Sequence, residues 1–283
     1  MIRSLTSAVS GIQQFQLRMD VIGNNIANVN TVAFKSARTN LADSFSQTLA
    51  SSNLGGDAAA QVGLGVITSG IYNQYTQGAI NRTGVETDLA ISGEGFFVVR
   101  DPLSGNVFVT RAGDFRIDSD NYLITNGGLR VQGYNNIGLD VIGDIQIDAA
   151  QRPPTADPTA TMASFGIDGL GRISVRLSDG TEYVRAQILL QNFTNPQALM
   201  KEGNNLYSGI GAAGPLGGAL NPTPAPPGSN GLGRIQSGAL ELSNVDLSNE
   251  FSNLIQTQRA FQANARIIST TDEMLQELVN LKR

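Results

Sequence analysis

The chain has 283 residues, enough for one or two domains with a substantial core. Only 15% of them are charged, 24 acidic against 19 basic for a net charge of −5, which leaves no clustered Lys and Arg of the kind that neutralises phosphates and so argues against a nucleic-acid partner. Cys and His are both missing, so disulfides, thiolate metal sites, and Ser-His or Cys-His catalysis are excluded.

Trp is also absent, while 32 Gly and many Asn, Gln, Ser and Thr make the surface polar but weakly charged. Such a surface packs against copies of itself at little electrostatic cost. Met1 to Asp20 lacks the apolar run and small-residue cleavage site of a signal peptide. No stretch approaches the roughly 18 apolar residues of a membrane span, so no membrane insertion is expected, and export would proceed without a cleaved signal.

The first helix is predicted from Ser4 to Ala27. Leu5, Ala8, Ile12, Phe15, Met19, Ile22, Ile26 and Val29 follow one another at alternating three- and four-residue steps, the 3.5 period that keeps an apolar seam facing a partner helix. Gly11 and Gly23 each cost a helix about 1 kcal/mol relative to Ala and are explained by close helix packing. Asn24, Asn25, Asn28 and Asn30 then crowd the helix end, where Asn caps and turns the chain.

Thr31 to Ala60 reads as a partly ordered connector: Phe34, Leu41, Phe45 and Leu49 recur near helical spacing before a loop of small residues. From Val62 short strands alternate with turns, and Gly105-Asn106, Asn126-Gly127-Gly128, Asp168-Gly169 and Asp179-Gly180 read as turn signals. Strands this frequent predict an antiparallel sheet in a barrel or sandwich. Ala149 to Thr161, holding Pro153, Pro154 and Pro158, reads as a linker, and Gly203 to Gly233, with Pro222, Pro224, Pro226 and Pro227, as a surface loop.

Asp246 is the expected N-cap of a final helix. In it Leu247, Phe251, Leu254, Phe261, Ala265, Ile268, Leu275 and Leu278 fall in a heptad register interrupted by Gln258 and Asp272. The expected fold is therefore α+β. Residues 1–30 and 245–283 form a coiled-coil-like polymerisation domain, 31–75 a connector, and 76–244 a β-rich outer domain.

The polymerisation interface is expected at Leu5, Ile12, Phe15, Met19, Ile22, Ile26, Val29, Phe251, Leu254, Phe261, Ile268, Leu275 and Leu278. A hairpin within one chain would satisfy both seams too, but two helices alone leave Val9, Val21, Ile255 and Ile267 wet, which favours other subunits as the cover.

Other motifs carry less. Gly209 to Gly214 matches G-x-G-x-x-G letter for letter, but Pro215 follows where a helix should receive the phosphate. Asp118 to Asn121 resembles the opening of a calcium loop, yet Leu129 stands where the bidentate Glu belongs. Glu86, Asp88 and Glu94 offer paired carboxylates for a secreted glycan hydrolase, but no aromatic-lined pocket is readable around them, and solvated turns explain them better. Phe96 and Phe97 point to opposite faces of one strand, one expected in the core and one toward a neighbouring element. No enzyme activity, cofactor or metal is expected, and a monomeric module with internally paired helices remains the other non-enzymatic reading.

Several segments together resemble the axial proteins of the bacterial flagellum, the rod and hook family. Met19 to Lys35 resembles that family's N-terminal signature. Gln77-Gly-Ala-Ile through Thr83-Gly, Asp88 to Phe97, Thr110 to Phe115, Gly238 to Asp246, Gln258 to Asn264 and Ser269 to Leu275 are similar to further blocks. Gly65-Val66, Leu129 to Tyr134 and Asn204 to Tyr207 look most like the hook branch, the curved joint between rod and filament, with the distal rod branch as the alternative. Ala149 to Thr161 leaves no room for the added mid-chain domain of larger hook subunits.

The resemblance implies a helical core from both termini and an outer β-domain. It implies export by the flagellar type III apparatus, self-assembly into a tube, and contacts with rod, hook-cap and hook-filament junction proteins outside the cell.

Overall fold

A computed structural model of the chain describes residues 2–50, 60–148, 152–154, 156–216 and 224–281. They form two compact units. Met1–Val29, Ser36–Gln74 and Val245–Arg283 make one, and Asn30–Lys35 with Tyr75–Asn244 make the other.

The first unit holds two long helices, α1 (Ile2–Ala27) and α2 (Leu247–Leu281), and a β-ribbon. The Asp246 carboxylate caps α2, accepting the amides of Ser248 at 2.9 Å and Asn249 at 3.4 Å. In the ribbon, strands Ala37–Asp43 and Ser46–Ala50 pair antiparallel with Val66–Asn73 and Ala60–Gly63. Bonds from Ser44 to Gly65 and from Leu64 to Phe45 join the two stretches.

The helical spacing of Phe34, Leu41, Phe45 and Leu49 was therefore misleading, because this segment is strand. Partner strands 10 to 36 residues further on decide the matter by supplying a full ladder, and local periodicity does not register them. Nor do residues 31–75 stay together: the ribbon clusters with the helices, and Asn30–Lys35 with the β-unit.

The second unit is built around a twelve-stranded sheet, antiparallel throughout, whose main path runs from Met162–Ile167 at one edge to Met200–Gly203 at the other. Phe96–Arg100 lies near its middle, pairing with Val107–Thr110 across the Gly105-Asn106 turn and with Arg130–Tyr134. Alternation along that central strand feeds two cores. Phe97 and Val99 join Leu89, Ile145, Ile173, Ile188 and Leu190 in the larger cluster. Phe96 and Val98 join Val109, Phe193 and Tyr207 in the smaller. Both aromatics of the Phe-Phe pair are thus core residues of one unit.

The turns at Asp168-Gly169 and Asp179-Gly180 join the strands Met162–Ile167, Arg172–Leu177 and Glu182–Ile188, as expected. The long loop read at 203–233 is shorter than expected. Met200–Gly203 and Leu206–Ser208 form a hairpin whose Asn204 and Asn205 take φ of 49° and 57°, the left-handed pair that a two-residue turn of this kind needs and that Asn tolerates. Pro222 and part of the 149–161 segment lie outside the described residues.

Candidate polymerisation interface

Within the helical unit, α1 and α2 pack antiparallel. Asn25, near the end of α1, donates to the Glu250 carboxylate at 3.1 Å in the first turn of α2, and Gly11 lies against Asn264 deeper along both helices. A Cβ at Gly11 would stand 2.7 Å from the Asn264 side-chain nitrogen, so the glycine sets how closely the helices approach. Thr257 and Thr271 are buried on the same face of α2, at seven-residue steps from Glu250 and Asn264. Each returns its hydroxyl to the carbonyl four residues back.

The inward face of α2 therefore alternates two columns. Leu254, Phe261 and Ile268, all half-buried, belong to the predicted seam. Glu250, Thr257, Asn264 and Thr271, at intervening three- and four-residue steps, do not, because they are polar. On α1 the fully buried residues are Ala8 and Ile22 of the predicted seam, and Gly11 and Asn25, which sequence periodicity missed. Leu5, Ile12, Phe15, Met19, Ile26 and Val29 are half-buried.

Asn25 also reads the backbone of Ala37, donating to its carbonyl at 2.8 Å and accepting its amide at 3.0 Å. One buried side chain thus ties α1, α2 and the start of the ribbon. Burial pushes Glu250 above the usual glutamate range, and the Asn25 amide and Arg18 offset part of that rise. The ribbon meets α1 on small and polar residues: the Val66 amide reaches Ser10 Oγ at 3.4 Å, and Gln14 accepts from Thr68.

Of the remaining predicted seam residues of α2, Ala265 is half-buried and the others are exposed. Phe251, Leu275 and Leu278 are 49%, 36% and 46% accessible, and Leu247, Ile255, Ile267, Met274, Val279 and Leu281 are exposed at other positions around the helix. Of the four off-seam residues expected to stay wet, Val9, Ile255 and Ile267 are exposed and Val21 is half-buried.

In the β-unit the candidate chemical motifs separate. Asp88 accepts from Thr83 at 2.5 Å, while Glu94 accepts from Asn192 at 3.1 Å. Asp118 to Asn121 closes a polar turn with Asn121 at φ 63°. After Gly214 comes a β-bridge between Phe193 and Pro215 rather than a helix. Among the described residues no three carboxylates gather as a metal cluster, and no helix is long and apolar enough to cross a membrane.

These features define a class: an α+β protein whose two long helices leave apolar side chains uncovered. Family models place it further. Residues 5–35 match "Flagella basal body rod protein", 90–175 match "Flagellar hook protein FlgE/F/G D1 domain", and 236–281 match "Flagellar basal body rod FlgEFG protein C-terminal". The flagellar basal-body rod protein FlgG of Bacillus subtilis is 40% identical over 288 aligned residues, covering all of both chains. The flagellar hook protein FlgE of Borreliella burgdorferi is 28% identical, again over both whole chains, in an alignment of 449 residues. The Helicobacter pylori flagellar hook protein FlgE2 is similar over 57% of this chain and all of its own, with 12% identity and a TM-score of 0.43.

The chain belongs to the flagellar rod and hook family. It is a structural component of the bacterial flagellum and not an enzyme.

Proposed function

We propose that this chain is a rod subunit of the flagellar axis, the distal rod of the two readings above, and that its copies assemble through the terminal helices. The observation that carries the assembly reading is the apolar face of α2, where Phe251, Leu275 and Leu278 stay exposed within their own chain. Large apolar side chains left uncovered along a helix need a cover, and further copies of the same helices supply one. Leu5, Ile12, Phe15, Met19, Ile22 and Ile26 of α1 and Val29 just after it, with Leu254, Phe261 and Ile268 of α2, then form the inner part of the interface.

The hook reading fits the same family. What supports the rod is length, since the Bacillus rod protein aligns end to end over 288 residues whereas the Borreliella hook protein requires 449. Export by the flagellar type III apparatus and contacts with neighbouring rod, cap and junction proteins belong to the same proposal and rest on family membership.

Deleting the gene and imaging flagella by electron microscopy is the test. Basal bodies with truncated rods support the rod, and complete rods without hooks move the chain to the hook. Normal motile flagella refute both. Leu278→Asp sharpens the result: it leaves the single chain folded and blocks tube formation if the α2 stripe is the interface.

A further inference from the structure

The β-unit contains a buried ionic cluster with no part in the interface above. Glu241, in the last strand of the unit (Ala239–Glu241), has a fully buried side chain and accepts two cations. Lys35 Nζ lies 2.7 Å from its Oε1, and Arg111 Nε lies 2.8 Å from its Oε2, with both cations buried as well. Arg111 directs its remaining donors to the carbonyls of Gly93 and Gly95. Burial acts upward on the Glu241 carboxyl, but the adjacent Arg111 guanidinium and Lys35 ammonium outweigh it and hold the group below the usual glutamate range. Burial lowers Lys35, and its contacts with Glu241 offset only part of that.

Such a triad is a poor way to gain stability, because well-packed apolar residues often do as well or better in the same volume. What it gains is position. The chain crosses the boundary of this unit four times, at both ends of Asn30–Lys35, before Tyr75 and after Asn244, so three segments carry it in and out. Glu241 touches all three. Its backbone carbonyl accepts the Ala33 amide at 2.8 Å, and its Oε1 accepts the Gly78 amide at 2.8 Å as well as Lys35.

The same segments are cross-tied elsewhere. Lys35 Nζ also donates to the Thr76 carbonyl at 2.8 Å, the Asn244 amide to the Phe34 carbonyl at 3.3 Å, and the Asn244 side chain to Thr76 Oγ1 at 2.9 Å. Gly78 is where two of the segments run closest: a Cβ there would stand 2.0 Å from the Leu242 carbonyl oxygen.

We propose that Glu241 is a positioning residue that clamps the three chain passages of the β-unit into one knot, so that force carried by a flagellar axis reaches the sheet through all three together. The force-bearing part rests on the reading of the chain as an axial subunit, whereas the clamp stands on geometry alone. A passage held singly peels from its end, one hydrogen bond at a time. Three passages tied at one carboxylate must yield together.

Amide hydrogen exchange on the full-length chain tests the clamp. Glu241→Gln leaves Lys35 and Arg111 without a counter-charge, and Gly78→Ala separates the segments without touching any charge. Both should raise exchange at Ala33, Gly78 and Asn244 by about tenfold more than at Phe96–Arg100. Asp148→Asn, which breaks an ion pair of the unit in which Arg185 is buried and Asp148 partly so, at 2.8 Å, should not single out those amides. A rise spread evenly over the sheet, or none at the three amides, overturns the clamp.

The same two variants are then returned to the deletion host, where assembled rods with reduced swimming in viscous medium are expected. Selective exchange with full swimming overturns the force-bearing role. Normal flagella in the deletion host itself would instead sink the axial reading, and the exchange data would still decide the clamp.

Discussion

In the β-unit, Phe97, Ile145, Ile188 and Leu190 are all fully buried, and the large apolar residues of both clusters find their cover within the unit. In the helical unit the only fully buried residues of α2 are two threonines, while Phe251, Leu275 and Leu278 face outward. The two regions also treat their buried carboxylates in opposite ways. Glu241 is held by two cations that favour its charge, whereas Glu250 is held chiefly by a neutral amide that compensates burial only in part. One unit closes its two apolar cores with its own residues. The other leaves Phe251, Leu275 and Leu278 uncovered within its own chain.

The largest test of this contrast sets two phenylalanines against each other. Phe97→Ala empties a fully buried site beside Phe115 and should cost about 3–5 kcal/mol, read as a lower Tm of the β-unit. Phe251→Ala should cost the single chain less than about 0.5 kcal/mol and weaken assembly instead. Equal losses of folding stability would break the comparison.

Asn25→Ala comes next. It orphans both backbone groups of Ala37 and the Glu250 contact, and should destabilise the helical unit by about 1–3 kcal/mol while the β-unit melts unchanged. Because the chain has no Trp, a Phe261→Trp reporter in α2 and a Phe193→Trp reporter in the β-unit would follow each melt separately. Gly11→Ala should have a smaller effect, about 1 kcal/mol, since the clashing Asn264 amide ends a side chain that can turn aside.

Acid should produce the smallest difference, of opposite sign at Glu250 and Glu241. Glu250 is raised in the folded state, so its contribution is fully present below the ordinary glutamate value and is lost as pH rises through the folded value. Mild acid therefore firms the helical unit. Glu241 is lowered, so its contribution is present above the ordinary value and is lost only as pH falls through the lower folded value. Stability of each unit against pH, read from the same two reporters, should show the helical unit gaining before the β-unit weakens. A parallel response of both would remove the electrostatic half of the contrast.

Much of the helical unit was legible because an apolar residue every three or four positions announces a helix and one of its faces. Leu254, Phe261 and Ile268 were found in this way, as were Ala8 and Ile22. The second column of the contact face, with Gly11 and Asn25 on one helix and Thr257, Asn264 and Thr271 on the other, was not. A small or polar residue in a helix looks the same in sequence whether it meets water or a partner helix. The ribbon was missed for a related reason, since its ladder joins residues 10 to 36 positions apart. Lys35, Arg111 and Glu241, separated by as many as 206 positions, left no local signal of meeting.

The sequence by itself determined the helical termini, the β-rich middle and most of its turns, and the family. These follow from periodicity, turn chemistry and motifs written within a few tens of residues. Only the tertiary structure decided which side of each helix faces its partner, that the connector is a ribbon on α1, and that three distant charged residues close one knot. Those outcomes depend on burial and on backbone partners, which exist only once remote segments have been brought together.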